Sequence, residues 1–167
     1  PYLNETQARE LNVELVSLDE LFLRSDILSI NCPLTESTRN IVNTERLALM
    51  KPTAYLINTA RGPVVDQTAL TKALQEQQIA GAGLDVLEAE PPPLEDPILQ
   101  LDNVILTPHA LCWTDQCFAG IGEADVKAVL ALMQGQVPFG LVNQEVLEHP
   151  NWQKKLAYYR QRFVGNG

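Results

Sequence analysis

Five short runs of β-forming, mostly aliphatic residues alternate with stretches of helical character, and no other feature of the sequence restricts the fold as much. The pattern predicts strands over 13–16, 27–31, 54–58, 81–86 and 104–106. Helices are expected over 5–11, 18–24, 44–50, 66–77 and 113–133. Strand and helix in turn mean parallel strands, because a parallel neighbour is reached only by a crossover, usually helical. The runs at 27–31 and 54–58 are nearly continuous apolar, so they are expected as central strands with both faces covered. Asp66 is placed to cap the helix that follows it, while Gly135 and Pro138 close the long one. The expected fold class is therefore α/β, a doubly wound parallel sheet.

At 167 residues and 46% hydrophobic content the chain can bury one ordinary core. A net charge of -9 leaves no clustered cations for phosphates, which argues against nucleic acid or an anionic membrane as a partner. Cys32, Cys112 and Cys117 form an odd set without framework spacing, so a reducing, cytoplasmic setting is expected. No run of about 18 apolar residues offers a membrane span, and no leader pattern opens the sequence.

Three segments carry chemistry, and each follows an expected strand. Ligands of open α/β sheets bind at the carboxyl ends of the strands. In Asn58-Thr59-Ala60-Arg61-Gly62, Arg61 can grip a carboxylate through two parallel charge-assisted hydrogen bonds. A plain surface ion pair is the bland alternative. In Gly83-Leu84-Asp85-Val86-Leu87-Glu88-Ala89-Glu90, the acids Asp85, Glu88 and Glu90 fall at the same edge, and each alone reads as a solvated loop acid. In Leu106-Thr107-Pro108-His109-Ala110, His109 supplies a group that changes charge near physiological pH, as general acid/base work requires. Together, arginine, glutamate and histidine make a coherent hydride-transfer site. His149 lacks such a placement and receives no role. A metal site from His109, Cys112 and Cys117 matches no common closed zinc pattern, so no metal is expected.

With those segments in hand, the chain resembles the D-isomer-specific 2-hydroxyacid dehydrogenases over roughly residues 11–143. The resemblance rests on ordered motifs: Ser25-Asp26-Ile27, Cys32-Pro33-Leu34-Thr35, Leu49-Met50-Lys51-Pro52, Asn58-Thr59-Ala60-Arg61-Gly62, Gly83-Leu84-Asp85-Val86 and Thr107-Pro108-His109. It implies that Arg61 binds the substrate carboxylate, that His109 exchanges a proton with the 2-oxo oxygen, and that Glu90 orients His109. It further implies NAD or NADP contacts at Cys32, Pro33, Thr59, Ala60, Arg61, Asp85, His109 and Ala110. The substrate would be a small 2-oxo or 2-hydroxy acid such as glyoxylate or hydroxypyruvate, and the assembly a homodimer. After the histidine, Leu111-Cys112-Trp113 departs from the small residues common in the family, so Trp113 is expected to border the substrate pocket.

The family's Gly-x-Gly-x-x-Gly turn has no counterpart here, since no such motif precedes residue 11. By resemblance, the first strand, that turn and the second strand of the nucleotide domain are absent. Residues 1–143 then read as a partial dinucleotide-binding domain, and residues 144–167 as a tail that docks on a substrate domain. The chain as given is expected to be an incomplete, inactive portion of an oxidoreductase. The alternative, from another class, is a non-catalytic nucleotide-binding or interaction module of the corepressor type.

Overall fold

The computed structural model describes residues 4–165. It divides into two compact units, one ending at Leu111 and the other beginning at Cys112.

In the first unit the chain forms α1 (Glu5–Glu10), α2 (Leu18–Arg24), β1 (Ile27–Ile30), α3 (Thr44–Leu47), β2 (Tyr55–Asn58), α4 (Gln67–Gln75), β3 (Gly81–Leu84) and β4 (Val104–Leu106). Short 3-10 turns lie at Gly62–Val64 and Pro97–Gln100. Local chemistry sets the helix starts. Asn4 and Gln7 make a reciprocal capping box at α1, Ser17 caps α2, Asn43 caps α3 and Asp66 caps α4. The four strands are parallel and lie in chain order, β1-β2-β3-β4. Ile30 pairs with Asn58, Asn58 with Leu84 and Leu84 with Leu106, so all four strands end level with one another. Every segment that leaves a strand therefore departs from one edge.

Burial alternates along the first strands. Leu28, Ile30, Leu56, Ala82 and Leu84 face a core filled by Phe22 of α2, Leu47 of α3 and Leu70, Ala73 and Leu74 of α4. Ile27, Tyr55 and Ile105, on the opposite face, are exposed. Of the two strands expected to be central with both faces covered, β2 is central and β1 lies at the edge, and on the face away from the core Tyr55 of β2 and Ile27 of β1 are exposed. Residues 13–16 form no strand: no neighbour forms a ladder with them among the described residues, and Val13 and Leu15 lie exposed.

The second unit contains α5 (Asp115–Met133), a 3-10 turn at Gln144–Glu148 and α6 (Pro150–Phe163). Thr114 caps α5, and Gly135 follows its last turn in the left-handed conformation with φ of 66°, as its position in the sequence predicts. None of the residues of α5 is buried. The tail, for which the sequence suggested no element, is helical because Pro150 opens α6 at a position needing no N–H and His149 caps it through Nδ1. No helix among the described residues is long and apolar enough to cross a membrane.

Candidate active site

Because the four parallel strands end in register, the segments after β1, β2, β3 and β4 are neighbours roughly 4.8 Å apart, the strand spacing. They form two clusters.

The first cluster follows β1 and β2. Asn31, Cys32, Pro33, Leu34, Thr59, Ala60 and Arg61 line one open groove of about 590 Å³. Its shape is set by Asn58, a buried amide at the end of β2. The Asn58 side-chain oxygen accepts the Ala60 N–H at 3.0 Å, and its Nδ2 donates to the Arg61 carbonyl at 3.1 Å. That side chain closes the turn from below, leaving Arg61 exposed at the rim. The guanidinium donates only to the neighbouring Ala60 carbonyl at 2.6 Å, and among the described residues no carboxylate pairs with it. Arginine is always charged and presents a planar fork of donors, the pattern that a carboxylate takes. The turn is also strapped from outside, since Asn40 donates to the Pro63 carbonyl and Val42 to that of Val64.

The second cluster follows β3 and β4 and is wired together. His109 Nδ1 lies 2.8 Å from Glu90 Oε2, with both side chains partly exposed. Glu90 Oε1 accepts the Leu87 N–H at 3.0 Å. The hydrogen bond with His109 first, then that from Leu87, hold the Glu90 carboxyl below the ordinary glutamate range against the opposing cost of burial. Glu90 is therefore ionised, Nδ1–H is the donor, and Nε2 is the nitrogen left to exchange a proton with a ligand.

His109 itself sits at φ of 55°, in the left-handed region that a side chain enters at a cost of order 1 kcal/mol or more. Asp85 holds the turn there. It is buried at the end of β3, and its Oδ1 accepts from the Thr107 hydroxyl at 2.6 Å and from the Ala110 N–H at 3.0 Å, while Oδ2 accepts from Leu111 at 3.4 Å. Burial pushes this carboxyl up, but those hydrogen bonds and the nearby His109 outweigh it, and Asp85 titrates below the usual aspartate range. Asp85, Leu87, Glu90, Pro91, Pro92, Thr107, Pro108 and His109 line a second cavity of about 270 Å³.

Of the residues singled out by sequence, Glu90, His109, Asp85 and Ala110 are thus brought together, and Cys32, Pro33, Thr59, Ala60 and Arg61 share the adjoining groove. The Ala110 N–H is already given to Asp85, so only its side chain and carbonyl remain for a ligand. Two contributors escaped the sequence reading. Asn58 and Thr107 appear in the motifs without a role, and the signal for each is a polar residue at or just past a strand end.

Comparison with known proteins assigns these motifs to a family. Residues 1–110 match the D-isomer specific 2-hydroxyacid dehydrogenase, NAD binding domain. The chain is 50% identical to the glyoxylate reductase of Thermofilum pendens over 137 residues, which cover 82% of this chain and 40% of that one. It is 49% identical to the glyoxylate reductase of Korarchaeum cryptofilum, with coverage of 84% and 42%. Among solved structures it is similar to the NAD-complexed D-isomer specific 2-hydroxyacid dehydrogenase of Lactobacillus delbrueckii ssp. bulgaricus, with a TM-score of 0.76, 33% identity and coverage of 84% and 46%. It is also similar to the D-lactate dehydrogenase of Aquifex aeolicus complexed with NAD and lactic acid, with a TM-score of 0.72, 40% identity and coverage of 81% and 45%. The chain spans less than half the length of each of these proteins. With a Rossmann-like parallel sheet and this match, the chain belongs to the D-isomer specific 2-hydroxyacid dehydrogenases.

Proposed function

We propose that this chain forms the proton-transfer and carboxylate-gripping edge of an NAD- or NADP-dependent dehydrogenase. The enzyme would interconvert a small 2-oxo acid, glyoxylate or hydroxypyruvate, with its 2-hydroxy acid. The observation that carries the reading is the His109–Glu90 pair at 2.8 Å, set on the same sheet edge as a guanidinium that pairs with no carboxylate among the described residues. Arg61 binds the substrate carboxylate and fixes the 2-oxo group beside His109. His109, oriented by ionised Glu90, gives a proton from Nε2 to the carbonyl oxygen during reduction and takes it back during oxidation. The nicotinamide, when bound, supplies or accepts the hydride at the substrate's C2.

Cys32, Pro33, Thr59, Ala60, Arg61, Asp85, His109 and Ala110 are the residues that would hold the nicotinamide end. The groove fits a flat, partly apolar ring, since Cys32, Pro33, Leu34 and Ala60 form its walls and buried Asn58 fixes its floor. Three unpaired thiols suit a reducing compartment, the cytoplasm. A homodimer through α5 is part of the same reading, because Phe118, Ile121, Val126 and Val129 of that helix are exposed. The non-catalytic alternative gains nothing from the relatives, which are named as reductases and dehydrogenases.

The test is a chimera in which this chain replaces the matched segment of the Thermofilum pendens protein. NADH or NADPH consumption is then followed with glyoxylate, hydroxypyruvate and pyruvate. Turnover that disappears with His109→Gln is expected. A folded chimera that binds cofactor but reduces none of the three acids would refute the reading.

A further inference from the structure

The loop between β3 and the 3-10 turn at Pro97–Gln100 carries Glu90, yet it has no regular structure of its own. A loop of this length orders a side chain only if something outside fixes it, because its backbone entropy favours many positions. Among the described residues, three side chains outside the loop make hydrogen bonds with it: Thr107 at its first residue Asp85, His109 at Glu90, and Gln67 on both sides of Glu90. Gln67 Oε1 accepts the Glu88 N–H at 2.9 Å, and the Gln67 N–H reaches Glu88 Oε1 at 3.3 Å. The other end of the same amide, Nε2, donates to Asp96 Oδ2 at 2.8 Å. Asp96 in turn accepts the Ile98 N–H at 3.1 Å, and Ile98 is fully buried, so the contact is anchored in the core.

We propose that Gln67 is a positioning residue for Glu90: its amide pins the loop two residues before that carboxylate and six residues after it, and so sets where the acid meets His109. This rests on the proton-relay reading of Glu90 and His109. The chemistry selects an amide, since the site needs an acceptor for a backbone N–H and a donor for a carboxylate at opposite ends of one short group. A carboxylate would repel Asp96 and Glu88, and an apolar side chain would leave the Glu88 N–H without its acceptor. Gln67 also begins α4 directly after the Arg61 turn, so the arginine segment and the glutamate segment share one rigid support. Glu88, read from sequence as a solvated acid, is exposed and also forms half of this clasp.

The experiment follows the Glu90 carboxyl by carbon-13 NMR as pH is lowered in the 167-residue chain. The variants compared with it are His109→Gln, Gln67→Met, Gln67→Glu, and Gln67→Glu combined with Asp96→Asn. His109→Gln removes the main group that holds Glu90 low and gives the upper limit of the shift. Gln67→Met keeps the side chain's size but not its hydrogen bonds, and it is expected to raise the Glu90 midpoint by about half that limit or more. Gln67→Glu is expected to raise it at least as far. Adding Asp96→Asn restores one donor and one acceptor at the clasp with the original total charge, and should return the midpoint towards wild type.

A Gln67→Met chain whose amide spectrum is native outside residues 85–97 and whose Glu90 midpoint is unchanged would overturn the proposal. Should Gln67→Met fail to fold, equal Glu90 midpoints in Gln67→Glu and the double variant overturn it as well. Failure of the dehydrogenase reading would show in the chimera's turnover and leave these titrations untouched.

Discussion

The two clusters on the carboxyl edge differ in how much of their bonding is already satisfied. Around His109, each acid oxygen has a partner: Glu90 bonds Leu87 and His109, and Asp85 bonds Thr107, Ala110 and Leu111. Around Arg61, the backbone is fixed by Asn58 while, among the described residues, the guanidinium has only a neighbouring carbonyl. The difference matches the two tasks proposed for them. A proton relay works by preorganised charge and gains from bonds made before the ligand arrives. A carboxylate grip gains from a charge still unpaired, because a resident partner would have to be displaced first. The two meet at Gly62, where a methyl group would collide with the Leu87 carbonyl and the Glu88 nitrogen.

The largest effect that can break the comparison is at the relay. His109→Gln in the chimera is expected to lower kcat by about a hundredfold to ten-thousandfold, the usual worth of a positioned acid/base. The effect on KM should be small, since the grip lies elsewhere. Turnover within a few-fold of the unsubstituted chimera would remove His109 from the reaction. Arg61→Lys comes next. It keeps the charge but loses the fork, and roughly 1.5–3 kcal/mol of charged hydrogen bonding corresponds to about a tenfold to hundredfold loss in kcat/KM. A lysine variant with unchanged KM for glyoxylate would mean that the rim binds something other than the substrate carboxylate.

Gly62→Ala probes the junction between the clusters. With backbone atoms of Leu87 and Glu88 in the way, the methyl must push the two loops apart, at a cost of about 1–3 kcal/mol typical of overpacking. Calorimetry should show a lowered Tm, and the chimera should lose kcat although neither Arg61 nor His109 is altered. An unchanged Tm would show that the loops yield freely and are not coupled there.

Much of this was legible in the sequence, for identifiable reasons. The strands of the sheet were readable because parallel strands are short apolar runs set between helices, and the edge they share follows from the topology rule. A helix start was readable at Asp66, where the capping side chain precedes the helix it caps. Residues 13–16 carry the β-forming composition of a strand but no ladder, and a strand exists only through its neighbour. The place of 27–31 as an edge strand depends equally on what lies beside it. At the site, the residue types that bear chemistry were visible, and the residues that hold them were not. Asn58, Thr107 and Gln67 act through partners 2 to 29 positions away, and single-sequence spacing says nothing about such pairs.

The smallest effect expected concerns acid and sharpens the contrast in wiring. Asp85 titrates lower in the folded chain than when unfolded. A group with a depressed folded pKa contributes stability that is present above its unfolded pKa, near 3.9, and is lost as pH falls through the folded value. Glu90 behaves in the same sense from its own unfolded value near 4.3. The unfolding free energy of the chain should therefore fall as the pH drops below about 4, and Asp85→Asn should flatten that slope while lowering stability at neutral pH. An asparagine can still accept from Thr107 and Ala110 but carries no charge, so the loss at neutral pH reports the ionic share of the anchor. The Arg61 turn contains no carboxylate, so Asn58→Asp places one in the loop that closes it. If burial governs that site as it opposes Asp85, the new acid should be raised rather than lowered, and it should stabilise the chain on acidification. Both substitutions are therefore expected to flatten the loss of stability in acid, Asp85→Asn by removing a carboxyl held low and Asn58→Asp by adding one held high; a steeper loss in Asn58→Asp would mean that the Arg61 turn lowers a carboxyl as the relay does and that the two clusters are wired alike.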